Sequence, residues 1–313
     1  KLHEVCSYRM SVEKAASLFK SLRNEDFRVL LGAELAMSHY QFAPAKRIIK
    51  ISNLRVDEAT FRLNRLQRIG FIQKIGRAFL GYDGYTITSP GYDSLALNAL
   101  VKSGVLEALG RPLGVGKEAD VYEALSPDEK RIVVKFHRLG RTSFRQTRRA
   151  RAYVAHRSHI TWLYQSRLAG EREYEALNIA YPVGVSVPRP IAQNRHAVVM
   201  GLIKGTELRF AELVEPKLVL KHVLGNIRKC YTEARIVHGD LSEFNILVQP
   251  DGKVVIIDWP QYLSRDRRGS KAALLRDMKN VAHFFAKRHH VKFSLVHAIS
   301  YVTGGVCSIR PDV

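Results

Sequence analysis

Cysteine is scarce in this sequence. Cys6, Cys230 and Cys307 stand far apart in 313 residues, which excludes a disulfide framework and a cysteine-based zinc site and leaves reduced thiols. Long apolar runs are missing too. None approaches the roughly 18 to 20 residues of a membrane-spanning helix, and the basic N-terminus lacks the apolar core of a secretory signal. The expected setting is soluble, intracellular and cytoplasmic, without a membrane partner. Acidic residues are few: 29 Asp and Glu against 50 Lys and Arg leave a formal charge of +21. Such a surplus points to a polyanionic partner, nucleic acid before an anionic membrane. There is no internal repeat and no low-complexity tract. An apolar content of 46% and this length suit a folded chain of two or three domains. It starts at Lys1 rather than Met, as a trimmed sequence does.

From about residue 24 to 88 the pattern predicts three helices and two short strands. "NEDFRVLLGAELAMS" opens with a capping-type Asn24 and spaces Phe27, Leu30, Leu31 and Leu35 as a helix does. "APAKRIIKIS" has Pro44 near a helix start. In "VDEATFRLNRLQRIG", Asp57 suits the N-cap, Val56, Ala59, Leu63 and Leu66 form one stripe, and Gly70 can close the end. "FIQKI" and "YTIT" read as a hairpin. This order is that of a winged helix-turn-helix, with 57–70 as recognition helix. Arg62, Arg65 and Arg68 on its other face, with Lys74 and Arg77 near the hairpin turn, are the candidate nucleic-acid contacts; the plainer reading is a solvated arginine face. "SPGYDSLALNALVKSG" supplies a further helix, capped by Ser89 with Pro90 at its first position.

Beyond residue 110 the texture turns strand-rich. "RPLGVGKEADVYEAL" carries Gly114 and Gly116 in a short turn whose backbone N–H groups suit phosphates, though most such turns are merely turns. "RIVVKFH" then sets Lys135 inside an apolar run, where an ammonium must snorkel or find an anion. In the helical "AGEREYEALNIA", Glu171, Glu173 and Glu175 compete as its partner, and Glu173 best fits the apolar register. "RHAVVMGLIKGTEL" is a buried strand that, in a kinase-like fold, becomes the hinge whose Gly201 and Ile203 backbone meets an adenine edge. Phosphoryl transfer from ATP needs an Asp to orient or deprotonate the acceptor, an Asn close behind it for metal, and a second Asp on a neighbouring strand. "HGDLSEFNILV" and "VVIID" supply Asp240, Asn245 and Asp258. From Arg138 to Arg157 there are seven Arg and no acidic residue, a block that stays solvated or clamps phosphates.

Through "GVGKEADVY", "VVKFHRLGRTSFR", "HAVVM", "HGDLSEFNILV" and "IIDWPQ" the chain resembles the RIO-type atypical protein kinases, and within them the second subfamily, which "KFHRLGRTSFR" and the winged helix mark. The resemblance covers nearly the whole chain. It implies an α+β architecture: a winged helix-turn-helix over 1–88, a linker helix over 89–110, a kinase N-lobe over 111–203 with a flexible Arg-rich loop at 138–160, and a short C-lobe over 204–313. It implies ATP with Mg²⁺ or Mn²⁺, Lys135 on the α and β phosphates, Glu173 as its partner, Asp240 as catalytic Asp, and Asn245 and Asp258 as metal ligands. Nucleotide contacts are expected from Gly114, Gly116, Lys117, Glu118, Ala119, Val121, Met200, Gly201, Ile203 and Asn245. It further implies a serine/threonine kinase or ATPase acting in maturation of the small ribosomal subunit on precursor rRNA, monomeric when free, with a phosphoaspartate on Asp258. Three departures are Ala119 for a glycine-loop Ser, Gly201 for an acidic residue, and Trp259 where Phe is commoner; none removes an essential group. The lack of long C-terminal extensions points to an archaeal member.

Two other readings compete. A small-molecule phosphotransferase of the aminoglycoside or choline type shares "HGDL" and "IDW" but predicts a large helical acceptor domain and no winged helix. A nucleic-acid-binding regulator with a relic kinase domain has no physical reason to keep Lys135, Asp240, Asn245 and Asp258 together. No "APE"-like end of an activation segment follows Asp258, so an ATP-driven switch is expected before general peptide phosphorylation.

Overall fold

The computed structural model describes residues 11–139 and 162–305. Cys6, Cys307 and all of the expected Arg-rich loop beyond Leu139 and before Trp162 lie outside them. The chain opens with α1 (Ser11–Phe19) and α2 (Asn24–Ala36), followed by the two-residue strand β1 (Ala43–Pro44). Next come α3 (Ala45–Ser52), α4 (Val56–Arg68), β2 (Ile72–Ile75), the single turn α5 (Arg77–Leu80) and β3 (Gly84–Ile87). The wing has three strands in the order β1-β3-β2, one more than the sequence pattern offers, because Ala43 and Pro44 pair with Tyr85 and Gly84. Caps fall slightly off expectation. Arg23 rather than Asn24 caps α2, with its N–H donated to Asp26 Oδ2 at 2.9 Å, and Arg55 precedes α4.

Two expectations for the recognition helix fail on burial. Arg62 is only 7% exposed; it binds Glu58 at 2.7 Å and reaches Asp26 at 3.4 Å. Arg65 also binds the Asp26 carboxylate and donates to the Ser21 carbonyl at 2.7 Å. Neither guanidinium is turned outward, because the fully buried Asp26 of α2 needs cations to compensate its lost hydration. Arg68 stays at the surface, as do Lys74 and Arg77, both near Asp83. Leu31, Leu35 and Val56 are exposed as well, while Val29, Ala33 and Ala36 take the core positions on α2.

Helix α6 (Ser89–Lys102), capped one residue earlier than expected by Thr88, is buried on almost every side. It packs as a wedge rather than a free linker: its Tyr92 and Leu95 join the winged-helix core, and Ala96, Leu97 and Leu100 join a second core with Val12 and Ala15 of α1.

That second core is completed by the N-lobe sheet. Strands β4 (Ala108–Val115), β5 (Ala119–Leu125) and β6 (Arg131–His137) precede α7 (Trp162–Ala180), and β7 (Pro190–Asn194) and β8 (Ala197–Gly201) follow it. The sheet order is β4-β5-β6-β8-β7, antiparallel throughout. Central β6 is buried along nearly its whole length, which explains its continuous apolar run.

Arg138, the first arginine of the expected flexible loop, is instead 2% exposed. It donates to both Asp93 oxygens at 2.6 and 2.8 Å and to Asp120 at 2.8 Å, joining α6 to β5. Burial alone would raise the Asp93 pKa, but Arg138 and His196 bring it down to about 2. His196 itself is held neutral, with burial pulling its pKa down to about 4, and its Nε2 lies 2.7 Å from Asp93. A bridge from Arg195 to Glu34 at 2.6 Å ties β7–β8 to α2. The winged helix is therefore fastened to the N-lobe by buried charge as well as by apolar packing.

The C-lobe is small. It contains β9 (Thr206–Glu207), α8 (Pro216–Thr232), β10 (Ile236–Val237), β11 (Ile246–Val248), β12 (Val254–Ile256), β13 (Leu263–Ser264), α9 (Ser270–His289) and α10 (Leu295–Val302). Its core gathers α8, α9 and the fully buried Trp259 against the hinge side of the N-lobe. Among the described residues no helix is long and apolar enough to cross a membrane.

Candidate active site

Strand alternation turns Lys135 toward α7. There its Nζ meets Glu173 Oε1 at 2.7 Å and, from the other lobe, Asp258 Oδ1 at 2.7 Å. Burial on its own would make this ammonium a stronger acid. The Asp258 and Glu173 carboxylates reverse the effect and hold its pKa above the usual lysine value. Of the three glutamates in the helix, Glu173 is the one at the lysine; Glu171 pairs instead with Arg167. Burial would raise the Glu173 pKa, yet Lys135 and His137 hold it well below the usual carboxylate range.

The glycine turn lies at the open edge of this sheet. Gly116 N–H closes it onto the Ala119 carbonyl at 2.9 Å, and the Glu118 carbonyl accepts from Arg138 N–H at 2.7 Å. Gly114, Gly116, Lys117 and Glu118 are exposed, Ala119 is half-buried, and Val121 faces Lys135 in the β5–β6 register. Met200 is buried opposite Val133. Gly201 donates its N–H inward to the Arg189 carbonyl at 2.9 Å, so this N–H is already taken. Ile203 follows in the irregular link to β9.

Across the cleft, Asp240 is exposed on a loop whose shape is imposed from behind. Gly239 sits at φ +84°, and a Cβ there would lie 2.7 Å from the Gln261 carbonyl, so no other residue fits. Buried Asp277 on α9 accepts from the N–H groups on both sides of Asp240, from Gly239 at 2.8 Å and Leu241 at 3.0 Å. One helical turn on, Asn280 donates to the Leu241 carbonyl at 2.9 Å. His238 donates from Nε2 to the Ile257 carbonyl at 3.0 Å and is kept neutral by burial. The sequence reading missed Asp277, Asn280 and His137; a lone Asp inside the apolar run of "LLRDMKNVAHFF" was the signal available for the first.

Asn245 and Asp258 approach through the β11–β12 ladder, where Ile257 N–H donates to the Asn245 carbonyl at 2.9 Å. Asp258 holds a left-handed φ of +68°, a conformation Asp tolerates better than most residues and one that aims it off the strand end. Asn245 Nδ2 donates to the Asp240 carbonyl at 2.8 Å, which leaves Oδ1 as its accepting end. Among the described residues no cluster of three His, Cys, Asp or Glu could hold a metal alone. One carboxylate and one amide oxygen fit Mg²⁺, which draws its remaining ligands from phosphate and water. A buried strand lysine paired to a helix glutamate, a carboxylate on a braced loop and a hard-oxygen pair beside it define a phosphotransferase of the protein-kinase class.

Comparisons with known proteins narrow that class. The family described as RIO domain matches residues 120–298, and that described as Rio2, N-terminal, matches 19–103. The RIO-type serine/threonine-protein kinase Rio2 of Methanocaldococcus jannaschii is 42% identical over 257 residues, 80% of this chain and 92% of that one. Serine/threonine-protein kinase rio2 of Dictyostelium discoideum is 36% identical over 268 residues, 85% of this chain but 51% of that longer protein. The crystal structure of the Rio2 kinase-ADP/Mg²⁺-phosphoaspartate complex from Chaetomium thermophilum superposes with a TM-score of 0.79 at 30% identity, covering 94% of this chain and 90% of that one. The chain belongs to the Rio2 family of RIO-type serine/threonine protein kinases.

Proposed function

We propose that this chain binds ATP with Mg²⁺ or Mn²⁺ and uses it in an autophosphorylating, ATPase-like cycle during maturation of the small ribosomal subunit. The observation that carries the reading is Lys135 Nζ standing 2.7 Å from both Glu173 and Asp258, an arrangement that readies a cation for phosphate oxygens at the mouth of the lobes. Lys135 would take the α and β phosphates, the exposed glycine turn would cover them, and Asn245 and Asp258 would hold the metal. Mg²⁺ held by Asn245 and Asp258 would supply positive charge to offset what develops on the transferring phosphate. Asp240 would orient the hydrolytic water, or an acceptor hydroxyl where one is phosphorylated, and take its proton.

In the cycle an Asp258 carboxylate oxygen attacks the γ-phosphorus, the bond from that phosphorus to the ADP oxygen breaks, and ADP departs. Water then cleaves the acyl phosphate to inorganic phosphate and restores the carboxylate. The phosphoaspartate named for the Chaetomium thermophilum relative supports this route. The formal charge of +21 supports precursor rRNA of the small subunit as partner, bound by a free monomer in the cytoplasm.

Incubation with Mg²⁺ and γ-phosphate-labelled ATP tests the cycle. Label on the protein that hydroxylamine releases, and that an Asp258→Asn variant never acquires, is expected. Hydroxylamine-resistant label on Ser or Thr alone would replace the switch with conventional protein phosphorylation.

A further inference from the structure

The string "KFHRLGR" contains a residue that phosphate chemistry leaves unused. His137 is 2% exposed, and its Nε2 lies 2.6 Å from Glu173 Oε2. An ionised carboxylate only accepts, so Nε2 carries the proton and donates. Lys135 and His137 are two residues apart on β6 and therefore share the face toward α7. Glu173 is thus gripped on separate oxygens. Oε1 takes the Lys135 ammonium and, at 3.4 Å, the Trp259 N–H, while Oε2 takes His137.

The preceding residue fastens the same helix to the opposite lobe. Arg172 donates from Nε to the Pro260 carbonyl at 3.0 Å and from a terminal nitrogen to the Tyr262 carbonyl, with its guanidinium 4.5 Å from the Tyr262 ring centre. Helix α7 is consequently bound to β6 on one side and to the stretch after Asp258 on the other.

In protein kinases generally, the position of this helix decides whether the lysine–glutamate pair is in place. A glutamate held by its lysine alone comes loose when the lysine turns to another anion. Here Lys135 already shares itself with Asp258. We propose that His137 is a positioning residue for phosphoryl transfer: it holds Glu173 still while Lys135 exchanges between Asp258 and the nucleotide phosphates, so the pair is assembled before nucleotide arrives. The inference rests on the phosphotransfer reading of the site. His137 acts through Glu173 and touches no reacting atom.

The test uses the full chain with His137→Phe, which removes the donor, and His137→Gln, whose side-chain amide can offer an N–H to Oε2. Phe should lower kcat roughly ten- to hundred-fold, the scale of a small misplacement at a reacting centre, with a smaller change in KM for ATP. Gln should restore most of kcat. Thermal midpoints measured alongside separate this from a packing role, which would lower stability and leave the kcat of folded protein unchanged. Wild-type kcat in the Phe variant, or a Gln variant as slow as Phe, would overturn the proposal. Should the Phe variant fail to fold, hydrogen exchange of the wild-type amides at 169–177 decides: equal protection with and without Mg·ATP is expected, and a many-fold gain on adding nucleotide would overturn it. A wild-type chain that turns over no ATP removes the phosphotransfer reading and this inference together, whereas turnover unaffected by Phe removes this inference alone.

Discussion

Lys135 is equidistant from Glu173 and Asp258, 2.7 Å from each, and so joins α7 of one lobe to the stretch after β12 in the other. Truncating it leaves Glu173, 1% exposed, without its cation. Breaking a buried pair by removing one partner costs about 3–5 kcal/mol, mostly through the charge left behind. Lys135→Ala should therefore lower both unfolding free energy and ATP turnover. Adding Glu173→Gln should recover stability and leave turnover lost. Denaturant unfolding and a phosphate-release assay on the single and double variants check both halves. The raised lysine pKa means that this stabilisation is present below the ordinary lysine value and is lost only at pH above the folded one, so the result should not depend on pH near neutrality.

Asp240 differs from these groups in standing on the exposed lip of the cleft, with its backbone carbonyl accepting from Asn245. Asp240→Ala should lower kcat by roughly 10²- to 10⁴-fold, the usual worth of a general base, with Mg·ATP affinity close to wild type. Calorimetric titration with Mg·ATP beside steady-state turnover separates binding from chemistry. Full turnover in this variant would remove Asp240 from the catalytic role.

Asp277 braces the catalytic loop and should make stability pH-dependent in a particular direction. Burial raises its pKa from 3.8 to about 6, against the lowering effect of the Gly239 and Leu241 N–H groups. The folded chain therefore takes up a proton that the unfolded chain releases. The stability contributed is full below the unfolded value and is lost as pH rises through the folded one. Relative to Asp277→Asn, the wild type should lose up to about 3 kcal/mol between pH 4 and pH 7. Urea unfolding of both proteins across that window measures it. A difference that grows with pH would mean the loop N–H groups, rather than burial, set the ionisation.

What the sequence made legible followed from local pattern. Lys135 interrupts an apolar run, where burial makes it an anomaly that needs a partner, and Asp240, Asn245 and Asp258 stood out by their order and spacing beside short apolar strands. Glu173 could be chosen from three glutamates because Leu177, one turn on, marks the buried face. Arg62 and Arg65 were misread because nothing local to α4 records that Asp26, on another helix, lies buried beneath them. Arg138 was absorbed into an arginine-rich block for the same reason. Its partners Asp93 and Asp120 sit 45 and 18 residues away, and only the folded chain gathers them.

Arg138 accordingly carries a stability prediction. Arg138→Ala would remove the cation shared by Asp93 and Asp120, both nearly inaccessible, and should cost about 3–5 kcal/mol. Because the cluster joins α6 to the N-lobe sheet, the loss should appear in both domains. Equilibrium unfolding followed by tryptophan fluorescence and by far-ultraviolet dichroism should shift together. A variant as stable as wild type would show that the apolar core around Leu97 and Tyr122 suffices to hold the two domains together.

The inward arginines also move the proposed rRNA contact to other surfaces of the winged helix. On α3, Lys46, Arg47 and Lys50 are exposed, and Lys50 stands four residues after Lys46 and three after Arg47, so the three form one basic side; Arg55 and Arg68 are exposed at the two ends of α4. Phosphate contacts reveal themselves through salt, since each one lost reduces the slope of log affinity against log salt by roughly one. Replacing Lys46, Arg47 and Lys50 by Gln should weaken binding to small-subunit precursor particles and flatten that slope, with folding and ATP turnover unchanged. Arg62→Gln should do the opposite: it loosens the winged helix, because Asp26 loses a buried partner, and leaves the slope of the folded protein as it was. A flattened slope from Arg62→Gln at wild-type stability would return the contact face to the recognition helix. An unaltered slope in the triple variant would place the phosphate contacts outside α3.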